Sequence, residues 1–395
     1  MYDSPHQFEP LFPRSGLERL LERASLITES ALELSGTAHP LTLAAIRELV
    51  RSMNSYYSNR IEGQSTTPLN IEKALKQDFS AQPEVARLQR LAVAHIEAEC
   101  ELEALVAAEA QPLSAGFILR AHSALYGRLC AEDRTTAEGD VVLPGEARTK
   151  DVKVGRHVPP TAVSLQRFLA RFDEVYTSRR SWDYQLVAIA CAHHRIAWIH
   201  PFMDGNGRAT RLQTHCALWP VSKGLWSVNR GLARHRQRYF ATLANADEPR
   251  RGDIDGRGNL TERGLVEWAD FFLSICEDQV AFMKSMLNLD EFKKRLDVLA
   301  LFRMAHNTKK VGGMRREAVL PLHYAFTSGS MTRGEFSQMT GLGERVSRSL
   351  MSYLLKQGLL VSDTAYGPVR LGLPLDSLQY LFPALYPEAV QGEVD

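Results

Sequence analysis

The chain has 395 residues, enough to bury at least one large core, and its length points to two or three domains. Its 47 Lys and Arg residues balance 46 Asp and Glu, so no global field draws it onto nucleic acid or an anionic membrane, and any such contact rests on a local patch. The five cysteines, Cys100, Cys130, Cys191, Cys216 and Cys276, are dispersed without a CxxC pair, which argues against a disulfide framework or a zinc site and fits a reducing compartment.

The N-terminal stretch "MYDSPHQFEPLFPRSGLERLL" carries acids and prolines where a signal peptide needs a basic segment and an apolar run. No later stretch is apolar enough to span a bilayer, so the expectation is a cytoplasmic protein without membrane contact. Most of the chain reads as helix, giving a mainly α fold. In "SNRIEGQ", Ser58 and Glu62 stand four apart on one helix face, and Gly63 suits the end of that helix. Strand signals are sparse. In "DVVLPGEARTKDVKVGRHVPP", Val152 and Val154 alternate with polar neighbours, Pro144-Gly145 supplies a turn, and Pro159-Pro160 stops the run. A β-hairpin flap over 141–154 is expected, an edge to which an extended target segment adds as a strand.

Leu186, Ile189, Ala190, His193, Ile196 and Ala197 recur at steps of three and four, predicting a helix with one buried face that leads straight into His200. The stretch "HPFMDGNGR" is too polar for core and sits between two helices. Gly205, Asn206 and Gly207 allow successive N–H groups to converge on an anion, and the helix starting at about Gly207 directs its positive end to the same point. Arg208 and Arg211 add guanidinium forks for further phosphate oxygens. Asp204 suits a Mg2+ ion bridging phosphates, and His200 suits proton transfer near neutral pH. Phe202 reads as an anchor beneath the loop. Neither a Walker A loop nor a Rossmann fingerprint fits this spacing. Tyr239, further on, reads either as a core aromatic or as a residue approaching the site. Residues 252–262, "GDIDGRGNLTE", depart from an EF-hand at Arg257 and Leu265 and read as a loop before a helix capped by Thr261.

Residues 306–316, with charge and paired glycines, mark a domain boundary. Beyond it, Thr332 and Glu335 form a capping box, Thr340-Gly341-Leu342 turns, a second helix ends at Gly358, and short strands at 359–361 and 369–371 flank a turn. This order is similar to a winged helix-turn-helix with Arg345, Ser347 and Arg348 on its exposed side, diluted by Glu335 and Glu344. DNA binding, protein contact, dimerisation and a structural role all remain open for it.

The loop residues His200-Pro201-Phe202-x-Asp204-Gly205-Asn206-Gly207-Arg208-x-x-Arg211 resemble the signature of Fic-domain proteins, with "VGRHVPP" and the helical patterning in keeping; the resemblance extends over about 51–280. It implies transfer of AMP from ATP to a Ser, Thr or Tyr hydroxyl of a target protein, with His200 as base, Asp204 holding Mg2+, Gly205, Asn206 and Gly207 holding phosphates, Arg208 and Arg211 orienting the outer ones, and Tyr239 as a weaker nucleotide contact. Ser58, Glu62 and Gly63 match the inhibitory motif of such proteins. In this reading Glu62 pairs with Arg211 in place of an ATP phosphate and also positions a water for removal of AMP. The implied organisation is a helical region over 1–110 containing an inhibitory helix at about 52–63, a catalytic domain over 111–300, and a winged-helix-like domain over 317–395. A target protein is the expected partner, with self-modification, a homodimer and DNA binding left open. The competing functional reading is a nucleotide-sensing DNA-binding regulator.

Overall fold

The computed structural model describes residues 2–108, 110–136, 138–306 and 313–386. Among them the chain is overwhelmingly helical, with one two-stranded sheet near the C-terminus. Helices α1 (Leu17–Ser35), α2 (Pro40–Ile61), α3 (Pro68–Leu75) and α4 (Pro83–Ala107) come first. Prolines open α2, α3 and α4, where their fixed φ suits helix entry and the missing N–H would have had no partner anyway. The helix expected from about residue 52 therefore begins at Pro40. It closes in a Schellman arrangement: Gly63 takes φ 73°, its N–H donates to the Arg60 carbonyl at 3.0 Å, and the Gln64 N–H donates to the Asn59 carbonyl at 2.9 Å. Glu62 is thereby fixed at the helix end.

The central part comprises α5 (Ala115–Tyr126), α6 (Leu165–Tyr176), α7 (Trp182–Ile199), α8 (Asn206–Ser222), α9 (Asn229–Arg234), α10 (Arg236–Asp247) and α11 (Glu262–Leu287). The expectation of one buried face on α7 is too narrow. Val187, Ala188, Cys191, Ala192, His194 and Arg195 are buried as well, because α1, α6, α8 and α11 enclose the helix. Thr261 caps α11 by accepting from the Gly264 N–H at 3.0 Å, as expected.

The hairpin foreseen over 141–154 is not a paired ladder. Among the described residues this region holds only isolated bridges, Thr135 with Val141 and Val154 with His157, and Val152 pairs with no strand. The physical reason lies at its centre. Arg148 is drawn inward: its N–H donates to the Pro201 carbonyl at 2.8 Å, and its buried guanidinium donates to the carbonyls of His200, Lys150 and Pro160. A strand with one residue pinned to another part of the fold cannot keep a two-residue register.

The C-terminal part comprises α12 (Leu289–Ala305), α13 (Val319–Ser328), α14 (Arg333–Thr340), α15 (Glu344–Lys356), the strands β1 (Leu360–Val361) and β2 (Arg370–Leu371), and α16 (Leu375–Leu381). β1 and β2 pair antiparallel, Leu360 opposite Leu371. The capping box forms: the Thr332 N–H donates to Glu335 Oε2 at 2.7 Å and the Glu335 N–H donates to Thr332 Oγ1 at 3.2 Å. Ser347, expected on the exposed side of α15, is buried instead. Its hydroxyl donates to Ser337 Oγ at 2.9 Å and ties α15 to α14. Most of the 306–316 boundary, residues 307–312, lies outside the described residues. The C-terminal part rests on α2, where Thr42 donates to the Phe326 carbonyl at 2.7 Å and the Tyr57 hydroxyl to the Leu385 carbonyl at 2.7 Å. No described helix is long and apolar enough to cross a membrane.

Candidate active site

The site is the turn between α7 and α8. α7 stops at His200, whose φ of 53° lies in the left-handed region that a residue with a side chain enters only when its surroundings compel it. The compulsion is visible: Arg148 Nε donates to the His200 carbonyl at 2.8 Å. The His200 Nδ1 faces the Ala197 carbonyl at 3.4 Å; with the proton assigned there, Nε2 is left as the free base nitrogen. Burial lowers the imidazole pKa to about 4, so the ring is neutral at physiological pH.

Gly205 caps α8 at φ 79°, and a Cβ there would fall 2.3 Å from the Tyr126 ring, so the position admits only glycine. Asn206 is the first residue of α8. Its side chain closes the loop, Oδ1 accepting from the Phe202 N–H and Nδ2 donating to the Phe202 carbonyl, each at 2.9 Å. The loop takes Oδ1 and one Nδ2 hydrogen, leaving the second Nδ2 hydrogen beside the main-chain N–H groups. Phe202 is fully buried and stacks on His122 with ring centroids 3.8 Å apart.

Asp204 faces solvent while accepting from the Tyr126 hydroxyl at 2.8 Å; Arg208 Nη2 lies 3.4 Å from the same oxygen. Desolvation opposes its charge, yet Arg208, Tyr126 and the Gly205 N–H hold the carboxyl below its ordinary range. Arg208 is buried and donates to Tyr126 Oη at 2.7 Å and to Gln64 Oε1 at 3.0 Å. Tyr126 therefore links the carboxylate to the guanidinium. Below it, His122 Nδ1 accepts from the Gly145 N–H at 2.9 Å, which assigns the ring proton to Nε2 and makes that nitrogen the donor to the Asp204 carbonyl at 3.2 Å. Sequence reasoning missed Tyr126, His122, Arg148 and Gln64. "AHSALY" on α5 reads as an ordinary amphipathic helix, and nothing local announces that its polar edge underlies a loop some eighty residues away.

Arg211 is fully buried. Its Nη2 donates to Glu62 Oε1 at 2.6 Å and to the Ser58 carbonyl at 3.0 Å, and its Nε donates to Ser58 Oγ at 2.9 Å. The Glu62 carboxylate lies over Gly207, where a Cβ would stand 2.3 Å from Oε1. It thus occupies the mouth of the α8 N-terminus, a position suited to anions. Desolvation works against its charge, but Arg211, by charge and hydrogen bond, holds the carboxyl below the ordinary glutamate range. Tyr239 is buried; its hydroxyl lies 3.0 Å from His193 Nε2 and interacts with Arg211. Val152 and Val154, by contrast, stand on the outer segment and join none of these contacts, and Val154 is exposed.

Residues 112–218 match the model of the Fic/DOC family. Over 122 residues the chain is 33% identical to a "Protein adenylyltransferase Fic" of Aedes aegypti and 40% identical to its namesake in Drosophila ananassae, alignments covering 31% of this chain and 23% of each relative. The chain thus spans about a quarter of the length of the curated relatives it matches. A solved Fic family protein from Desulfovibrio desulfuricans G20 shares the fold, with a TM-score of 0.52 at 17% identity over 94% of this chain and 98% of that one. The α7–α8 turn and the residues from Tyr126 to Arg211 that frame it all lie within the stretch 112–218 that matches the Fic/DOC family model.

Proposed function

We propose that this chain transfers AMP from ATP to a Ser, Thr or Tyr hydroxyl of a target protein and that Glu62 restrains the reaction. The observation that carries this reading is the gathering of a neutral imidazole, two buried guanidiniums and a solvent-facing carboxylate around the N-terminal end of one helix. His200 Nε2 takes the proton of the hydroxyl as its oxygen bonds to the α-phosphorus. The bond from that phosphorus to the bridging oxygen breaks, and pyrophosphate leaves against the α8 N–H groups, Arg208 and Arg211. Asp204 fits Mg2+, since it is ionised and open to solvent with Oδ2 already oriented by Tyr126; a bound Mg2+ would neutralise phosphate charge. In this reading Glu62 also orients a water for removal of AMP. The segment around Val152 and Val154 is the docking edge for the target, and the described residues 317–386 form an attached module. Five free cysteines favour a cytoplasmic setting. The DNA-binding alternative gains no support, for Glu344 pairs with Arg348 and Ser347 is buried.

The direct test is to incubate the Glu62→Gly chain with ATP and cell lysate and to search for AMP adducts by mass spectrometry. No adduct on any protein, this chain included, refutes the assignment. The metal assignment has its own expected result. Asp204→Ala removes the Mg2+ dependence of ATP binding in titration calorimetry. Tyr126→Phe, which keeps the ring under Gly205 but loses the hydroxyl, raises the Mg2+ concentration for half-maximal transfer by about 3–10-fold, the loss of one charge-assisted hydrogen bond. An unchanged Mg2+ response in both variants removes Asp204 from the metal site.

A further inference from the structure

Behind the loop, away from solvent, α4 and α8 bury a second polar cluster that the proposed reaction does not use. Glu99 and Glu103 stand one turn apart on α4 and face His215 of α8; one ligand atom from each lies within 4.8 Å of the others, and all three residues are buried. His215 Nε2 lies 2.9 Å from Glu103 Oε1 and 3.5 Å from Glu99 Oε1. The outer oxygen of Glu103 accepts from Arg51 Nε at 2.8 Å, and Glu99 Oε1 accepts from Asn54 Nδ2 at 2.8 Å. These contacts orient the carboxylates in the way that outer hydrogen bonds orient metal ligands.

The cluster is incomplete as it stands. Glu99 Oε2, Asn54 Oδ1 and both ring nitrogens of His95 are buried without a partner among the described residues, and His95 Nδ1 lies 3.9 Å from Glu99 Oε2. A fully buried imidazole with neither nitrogen satisfied, beside a carboxylate oxygen that also lacks a donor, leaves polar atoms whose desolvation is uncompensated among the described residues. Arg51 pairs with Glu103 at 2.6 Å, while among the described residues Glu99 has only the neutral Asn54 amide and the His215 ring within reach.

We propose that Glu99, Glu103 and His215 bind a divalent first-row transition ion, with His95 closing the set on the Glu99 side. The mixed imidazole and carboxylate donors suit Zn2+ or Mn2+ and disfavour Mg2+, which keeps water in an all-oxygen octahedron. Donor atoms about a Zn2+ ion stand about 3.4 Å apart, so small side-chain rotations close the present arrangement. The ion would be structural, entering as the chain folds. It ties together α4 and α8, and through Arg51 and Asn54 it reaches α2 as well.

The test uses the full chain with Asp204→Ala, Cys100→Ser and Cys130→Ser, which removes the solvent-facing carboxylate and the exposed thiols as competing sites. After chelation, loading with Zn2+ and gel filtration, elemental analysis is expected to find about one ion per chain, with the melting temperature raised by about 5 °C or more; Mg2+ leaves it unchanged. Glu99→Gln and His215→Asn lose the retained ion. Should either variant fail to fold, Co2+ loaded into the parent chain decides, a tetrahedral visible spectrum supporting the site and an octahedral one overturning it. Absence of a retained ion and of a melting shift overturns the proposal and leaves a cluster filled by water. Retention at the parent level in both folded variants likewise overturns it.

Discussion

His200→Ala is expected to lower AMP transfer by about 10²–10⁴-fold while ATP affinity stays within about twofold, because in the proposed reaction the imidazole acts on the target hydroxyl and not on the nucleotide. Parallel loss of ATP binding, read by calorimetry, removes the general-base role. The pH profile supplies a separate check. Burial places the His200 pKa at about 4, below the ordinary value, so the basic form predominates above that and is lost only as the pH falls through it. From neutrality down to about pH 5, kcat/KM therefore stays nearly level with respect to this group, and it declines towards pH 4. An inflection near an exposed histidine's value, about 6.5, contradicts the buried geometry.

Glu62→Gly is expected to raise AMP transfer, self-modification included, by about tenfold or more, or roughly 1.4 kcal/mol of bias towards the productive nucleotide pose. The Glu62 carboxylate holds Arg211 and covers Gly207 at the mouth of α8, and in the proposed reaction an outer phosphate needs the same guanidinium. Arg211→Ala alone gives no gain, since it removes clamp and competitor's partner together, and added to Glu62→Gly it abolishes the gain. Because Arg211 holds the Glu62 carboxyl ionised below the ordinary glutamate range, mild acidification does not relieve the wild-type chain. Wild-type labelling by Glu62→Gly in every target tested would reduce Glu62 to a helix terminus.

The parts of the site that sequence made legible are those whose chemistry is local. The loop 200–211 shows its glycines, its arginines and its histidine in one line, and Ser58 with Glu62 shows a single helix face. What stayed hidden depends on chain segments meeting from a distance. His122 and Tyr126 lie on α5 and meet Asp204, 82 and 78 residues further on, and Arg148 lies in a segment whose alternating valines suit a strand and meets His200, 52 residues further on. Asn206 reads as a phosphate residue by its type, and the structure adds a second task that its type does not announce, a clip back to Phe202 four residues earlier. Ser347 failed for a related reason, since a helix flanked by charge still buries the small residue that faces its neighbour. Helix content followed from periodicity, and burial on both sides of α7 did not, because a stripe of six residues says nothing of what covers the rest.

The Glu62–Arg211 contact joins residues 149 apart, with the acid on the N-terminal side. A ribosome adding about 5–20 residues per second delivers Glu62 roughly 7–30 s before Arg211. The clip from Asn206 to Phe202 spans only four residues and shapes the loop as soon as it emerges. By then α2 is already outside the ribosome. Order of synthesis thus brings Glu62 out of the ribosome before the α8 turn that it covers in the folded chain.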